Sequence, residues 1–234
     1  MTPIYSIPGF SEPFSSLSHL IAAGVFAIIG GFRLYRERSN KTRLFSLAVF
    51  VFSCVLLLTI SGIFHLLQPG GIGREVFRRM DHAAIFIFIA GTFTPIHGLL
   101  FDGWRRWGIL LMIWGLAVVC LTLKVIFLKE MAEWLGLTLY LGMGWMGIIS
   151  AVLLYHRYGM RFQKYLLFGA IAYTVGALLD YFKFPGLLPG VVGSHELFHV
   201  SVLLGMGFHW FLVHQLTHAH RVGLNRTTSR ASAV

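Results

Sequence analysis

The chain has 234 residues, of which 56% are hydrophobic and only 12% are charged. A soluble domain of this length does not need so much apolar material, so the composition excludes an ordinary globular enzyme and indicates a membrane protein. The formal net charge is +10, but 18 of the 19 basic residues lie in the short segments between apolar runs or in the C-terminal tail. There they set membrane topology, and we therefore exclude nucleic acid as a partner.

Seven runs of about 20 mostly uncharged residues follow one another and predict transmembrane helices. The predicted spans are 15–33, 44–67, 82–101, 107–128, 134–154, 165–182 and 195–216. These runs are too long and unbroken for the strands of a membrane barrel. The connecting loops are short. The predicted fold class is therefore an all-α membrane protein, a seven-transmembrane helix bundle forming a single domain over 1–234, with the bundle at 14–216. The tail 217–234 is polar, and we expect it to be disordered.

Basic residues are distributed unequally between the two ends of this bundle. Thirteen Lys and Arg residues lie in loops one, three and five and in the tail, against five in the other loops. Cytoplasmic segments carry an excess of Lys and Arg. The count predicts a multi-pass protein of the cell membrane whose N-terminus is extracytoplasmic and whose C-terminus is cytoplasmic.

The last span begins with "SHELFHV", which contains the spacing H-E-x-x-H at His195, Glu196 and His199. In zinc proteases this spacing places two His ligands on one helix face and supplies a Glu as general base. A zinc protease also needs a third ligand, and no Asp or Glu follows Glu196 in this chain. His195 and His199 therefore still have the spacing of metal ligands, but Glu196 is not assigned a catalytic role. The third ligand must come from an earlier part of the chain.

Helix direction places most of the intramembrane polar residues at one membrane face. Odd-numbered spans start at the N-terminal side and even-numbered spans end there. The residues collected at that face are Glu12, Ser15, Ser18, His19, Ser61, His65, Asp81, His82, Asp180, His195 and His199, with Asp81 and His82 expected in the first turn of span three. His97 and His156 fall at the opposite face, and His209 lies about 15 Å further along the last helix. Such residues are costly in a membrane and are functional candidates.

Three histidines with an open fourth position are typical of catalytic Zn²⁺. We therefore predict that His65, His195 and His199 bind Zn²⁺, which lowers the pKa of a bound water to about 7 and polarises a carbonyl. Asp81 is the expected acid to hydrogen-bond or deprotonate that water. Ser61, one turn before His65, is expected to orient the water or to donate to an oxyanion.

Three short motifs in this order carry a family resemblance. They are "EPFSSLSH", then "SGIFH" with "DHAAIFIFIAGTFTP", then "HELFHVSVLLG", and together they cover residues 12–205. The sequence resembles the progestin and adipoQ receptor family, and within it the bacterial hemolysin III-type branch. Two positions depart from the family pattern: Ser15 stands where Asn is usual, and His82 stands where an aromatic residue is common.

The resemblance implies that His65, His195 and His199 bind zinc and that Asp81 contacts the metal-bound water, with Ser61 at the position of the family's serine. Because the wider superfamily includes alkaline ceramidases, it also implies a zinc-dependent hydrolase acting on an amide or ester of a lipid, with membrane lipids as partners. Two alternatives stay open: a non-enzymatic receptor-like or membrane-perturbing zinc protein, and a pore with an ion path. Receptor members of the family have a cytoplasmic N-terminus, opposite to the orientation predicted from the charge count.

The roles of four further residues at this face are not assigned by the sequence: His19, His82, Asp180 and Glu196. His19 is expected to support the site and not to be a fourth ligand. The oligomeric state and the substrate are not predicted either.

Overall fold

A computed structural model describes residues 6–184, 186–188 and 190–222 of the chain. This part of the chain forms eight helices and no strand. The helices are α1 (Pro13–Glu37), α2 (Lys41–Leu66), α3 (Ile72–Leu100), α4 (Trp104–Ile126), α5 (Glu133–Trp145), α6 (Gly147–Tyr158), α7 (Met160–Phe182) and α8 (Ser194–Arg221). Helices α5 and α6 are separated only at Met146 and together make one span, so seven segments are long and apolar enough to cross a membrane. The predicted fold class is confirmed.

The outer and inner surfaces of the bundle differ in the way a lipid environment requires. Large apolar side chains point outward, among them Ile21, Phe32 and Leu111. The interior contains apolar clusters, together with His65 of α2 and His199 and His209 of α8. Because lipid offers no hydrogen-bond partners, helices that satisfy their own backbone are suited to this setting.

Close helix contacts position the end of the bundle where α1, α3 and α8 begin. Helices α1 and α2, α2 and α3, α3 and α4, and α7 and α8 pack as neighbours, while α8 also contacts α1 and α3. A Cβ added at Gly62 would lie 2.6 Å from Leu20 Cγ, and one at Gly176 would lie 2.4 Å from Ser201 Cβ. Both glycines therefore allow backbones to approach. These contacts hold α1 against α2 and α7 against α8 near the candidate site.

Helix α3 begins ten residues before the predicted span, at Ile72 and not at residue 82. Its first turns are polar and are supported by ion pairs from Glu75 to Arg78 (3.0 Å) and Arg79 (3.8 Å). Pairs at these spacings stabilise a helix. The expectation that Asp81 lies in the first turn is therefore wrong, since Asp81 lies in the third turn of α3. Counting apolar residues alone missed this polar extension.

Helix α8 continues to Arg221, five residues past the predicted boundary at residue 216. Thr217 and Ala219 are buried there. The Arg221 guanidinium pairs with Glu37, whose other carboxylate oxygen accepts a 2.7 Å hydrogen bond from Arg43. This cluster joins α1, α2 and α8 at the end opposite the candidate site. The remainder of the predicted tail, from residue 223, lies outside the described residues.

Candidate metal centre

Three histidines from two helices meet at one end of the bundle. His65 is in the last turn of α2, and His195 and His199 are in the first two turns of α8. The Nε2 atom of His195 lies 3.5 Å from Nε2 of His65 and 3.1 Å from Nε2 of His199. One ligating nitrogen from each of the three lies within 4.8 Å of the others. Tetrahedral zinc with Zn–N bonds of about 2.0–2.1 Å would separate its nitrogens by about 3.4 Å.

The second ring nitrogen of each histidine faces a different polar side chain. Nδ1 of His65 hydrogen-bonds the Glu12 carboxylate. Nδ1 of His195 lies 3.4 Å from Asp180 Oδ1. Nδ1 of His199 lies 2.9 Å from Nε2 of His19. Such outer partners fix the tautomer and ring orientation of metal-ligating histidines.

This pattern of partners suits a metal ion. Carboxylates accept hydrogen bonds, so Glu12 and Asp180 place protons on the Nδ1 atoms of His65 and His195. Their Nε2 atoms then carry lone pairs that point toward each other and toward His199. Facing lone pairs repel unless a cation or a proton donor lies between them, and a metal ion would accept all of them at once. The donor set therefore fits a metal ion held by His65, His195 and His199.

Glu12 is held as a carboxylate by its neighbours. It lies just before α1, where its backbone N–H donates to the His65 carbonyl (3.0 Å) and its side chain pairs with Arg74. Burial raises the pKa of the Glu12 carboxyl, but the hydrogen bonds and charges of His65 and Arg74 outweigh burial and lower the pKa to about 2. The carboxylate is therefore ionised at neutral pH and accepts from His65.

Glu196 has a structural position within the H-E-x-x-H sequence. Its Oε2 atom accepts a 2.9 Å hydrogen bond from the Gly193 backbone N–H, and its Oε1 atom accepts one of 3.3 Å from the Ser15 hydroxyl. The first bond satisfies a donor at the start of α8, as in a capping box. Glu196 thus caps α8 and ties it to α1.

Asp81 and Ser61 lie beside the three histidines but outside the ligand group. Asp81 is half-buried and lines the cavity that the histidines also line. Ser61 lines the same cavity, and the Asp81 carboxylate lies near enough to His65 and His195 for their charges to act on it. Asp81 therefore lies where a molecule in the cavity can contact it.

The cavity has a volume of about 580 Å³ and continues from the histidines into the bundle. Apolar side chains such as Phe88, Leu141 and Val202 line its deeper part, which reaches His209. This volume is within the range of small-molecule sites. An extended apolar chain is the kind of ligand that such a lining favours.

The structure brings together the five site residues selected from the sequence, namely Ser61, His65, Asp81, His195 and His199. His97 and His209 lie apart from them, with His97 Nε2 2.7 Å from the Ser150 hydroxyl and His209 Nε2 3.3 Å from the Leu166 carbonyl.

The sequence did not assign the outer partners. Glu12, His19 and Asp180 were placed at the correct face, but no pattern in the sequence paired each of them with a particular histidine. His82 had no assigned role either, and its Nδ1 atom lies 3.0 Å from the Tyr140 hydroxyl of α5.

Replacing Glu12 by Ala should weaken metal binding without removing a ligand. We expect the metal affinity to fall about 10–100-fold, because His65 loses the partner that fixes its tautomer. A competition titration against a chromophoric chelator measures this affinity. Glu75→Ala is the control, since Glu75 pairs with Arg78 and Lys129 and does not contact a histidine of the group. Equal affinities for the two variants would show that Glu12 does not support the centre.

Comparisons with known proteins agree with the family that the motifs resemble. The family model described as "Haemolysin-III related" matches residues 10–210. "Hemolysin-3" of Bacillus cereus is 30% identical over 177 residues, covering 76% of this chain and 77% of that protein. "Hemolysin-3 homolog" of Bacillus subtilis (strain 168) is 29% identical over 168 residues, covering 72% and 75%. "Progestin and adipoQ receptor-like protein 1" of Caenorhabditis elegans is 23% identical over 251 aligned positions, covering 91% and 56%.

Proposed function

The chain belongs to the haemolysin-III-related family of multi-pass membrane proteins, and on this premise we propose that it is a zinc-dependent hydrolase of a lipid amide or ester. The observation that supports this most strongly is the set of three Nε2 atoms facing one another. Zinc is the metal we propose, because three histidines with an open position are typical of catalytic zinc. When bound, zinc would lower the pKa of a water and polarise the substrate carbonyl.

The chain's own residues would manage the protons of the reaction. As the water oxygen bonds to the carbonyl carbon, the Asp81 carboxylate accepts a proton from that water. The C–N or C–O bond of the substrate then breaks, and Asp81 returns the proton to the leaving amine or alcohol. The products are a carboxylic acid and the amine or alcohol. Ser61, which lines the same cavity, would orient the water or donate to an oxyanion.

The apolar cavity supports a lipid as the substrate. Phe88, Leu141 and Val202 would hold an acyl chain deep in the bundle, while the carbonyl remains at the histidine end. A lipid could enter from the bilayer without leaving an apolar environment.

Release of fatty acid from defined lipids tests the proposed function. The purified protein in lipid nanodiscs would be given a panel of N-acyl and O-acyl lipids. We expect hydrolysis of at least one class, its loss on chelation, and its return when Zn²⁺ is added. If metal-loaded protein releases no fatty acid from any lipid of a broad panel, the centre is non-enzymatic. In that case a receptor-like or membrane-perturbing zinc protein is the function that fits.

We also propose that the candidate site faces the exterior of the cell. The excess of Lys and Arg at the opposite end supports a cytoplasmic C-terminus. A fluorescent protein fused after residue 234 should therefore mature and fluoresce in the cytoplasm. A phosphatase that is active only in the periplasm should be inactive at the same position, and activity there would reverse the proposed orientation.

A further inference from the structure

One lysine lies inside the bundle beside the cavity of the histidine cluster. Lys124, in the last turn of α4, is the only charged residue of the predicted span 107–128. A lysine near a helix end usually extends its ammonium to the membrane surface. Lys124 is instead 6% exposed and lines the cavity. By contrast Lys129, just beyond α4, is 62% exposed and lies 3.5 Å from Glu75.

The ammonium group of Lys124 lies between α4 and α5. A Cβ added at Gly136 would lie 2.8 Å from Lys124 Nζ, so this glycine leaves the space that the ammonium occupies. The same Nζ atom lies 6.0 Å from the centre of the Tyr140 ring. Within the described ranges Lys124 forms no hydrogen bond or ion pair, although Asp81 and Glu133 line the same cavity. The ammonium thus lies in the cavity wall without a hydrogen-bond acceptor among the described residues, although Glu133 is near enough for its charge to act on it.

A second cation contributes to this part of the cavity wall. The Arg78 guanidinium donates to Glu75 at 3.0 Å, but its Nε atom is buried and has no hydrogen-bond partner. Arg78 and Lys124 lie near enough for their charges to act on each other and on His82. A buried donor without an acceptor destabilises the protein. An anion in the cavity would pair with the Lys124 ammonium, and the charge of Arg78 nearby would add to the attraction.

We propose that Lys124, with the positive charge of Arg78 beside it, binds the anionic headgroup of the lipid substrate, a carboxylate or a phosphate. The inference rests on the proposed function, since it names the substrate class for the same cavity. Lys124 then acts as a specificity-determining residue. An anionic headgroup bound at Lys124 would leave the acyl chain for the apolar depth of the cavity, so acidic N-acyl or O-acyl lipids are favoured over neutral ones.

Two lipids that differ only in headgroup charge test this. N-palmitoylglycine and N-palmitoylethanolamine share the chain and the amide, and only the first has a carboxylate. Their dissociation constants would be measured by thermophoresis of the full chain in nanodiscs of neutral phosphatidylcholine. We expect N-palmitoylglycine to bind about tenfold tighter or more. A third probe is the phosphate ester of N-palmitoylethanolamine. If it binds more tightly than N-palmitoylglycine, the site prefers a phosphate headgroup; if it binds more weakly, the site prefers a carboxylate.

Substitutions of single residues test whether Lys124 causes the preference for the acidic lipid. In Lys124→Met the affinity ratio should fall to near one while the affinity for N-palmitoylethanolamine stays the same, and Lys124→Arg should keep the preference. Lys129→Met is the matched control and should behave as the natural protein does. If Lys124→Met does not fold, Gly136→Ala serves instead, because its new methyl group displaces the ammonium and should also reduce the ratio.

The inference is overturned if the natural chain binds neither probe, if it binds both equally, or if Lys124→Met keeps the preference. A separate measurement of palmitate release distinguishes this failure from failure of the hydrolase. Preference for the acidic lipid with no release would leave the headgroup site standing and remove the hydrolase. Palmitate release from neutral and acidic lipids that bind with equal affinity would leave the hydrolase standing and remove the headgroup site.

Discussion

Replacing His195 by Ala should remove the metal from the protein. His195 supplies the Nε2 atom that lies near the Nε2 atoms of both other histidines, at 3.5 Å and 3.1 Å. Two remaining imidazoles cannot complete a tetrahedral zinc site. We expect zinc content to fall from about one atom per chain to less than about a tenth, as measured by inductively coupled plasma mass spectrometry. Hydrolysis should fall with it.

His214→Ala is the matched control for this loss. His214 lies on the same helix but is exposed and outside the ligand group. Its variant should bind as much zinc as the natural chain. A His195→Ala protein that retains a full zinc complement would contradict the three-histidine centre, and equal loss in both variants would indicate that α8 as a whole had been disturbed.

Replacing Asp81 by Asn should abolish turnover while leaving the metal in place. The amide has nearly the same shape as the carboxylate but cannot accept a proton from water at neutral pH. Positioned acid–base groups contribute about 10²–10⁴-fold to rate, so we expect the rate of fatty acid release to fall by that factor. Zinc content should be unchanged, because Asp81 lies outside the ligand group.

Asp102→Asn tests whether any loss of an acid has this effect. The Asp102 side chain is 93% exposed and pairs with Arg106 at 2.7 Å, on the loop after α3 at the far end of the bundle. This variant should keep the natural rate. A rate of Asp81→Asn within twofold of natural would eliminate Asp81 as the base, and loss of zinc from that variant would make Asp81 a ligand.

Hydropathy and helix direction predicted much of this bundle, because a membrane fixes the length of each span and reverses the direction of successive helices. The spans are set by apolar length, and direction alternates by necessity, which brings His65 and Asp81 to the end where α8 begins. The spacing of four residues between His195 and His199 also predicts a shared helix face. The fold class and the family were confirmed, while zinc and hydrolysis stay proposals.

The features that the sequence left unpredicted depend on side chains meeting across the bundle. Helix α3 begins early because Glu75 pairs with arginines one turn later. Likewise, Asp180 lies 3.4 Å from His195 at the end of the bundle where Gly176 lets α7 and α8 come close. The inward position of Lys124 similarly depends on the space beside Gly136. None of these contacts between side chains produces a repeating pattern that can be read from a single sequence.

X-ray absorption at the zinc edge, recorded on the purified full chain, tests the proposed centre most directly. A centre made of His65, His195 and His199 predicts about one zinc per chain, with three imidazole nitrogens at about 2.0–2.1 Å and a further light-atom ligand. Purified protein that holds no zinc after incubation with Zn²⁺, or zinc bound by sulfur at about 2.3 Å, would contradict it.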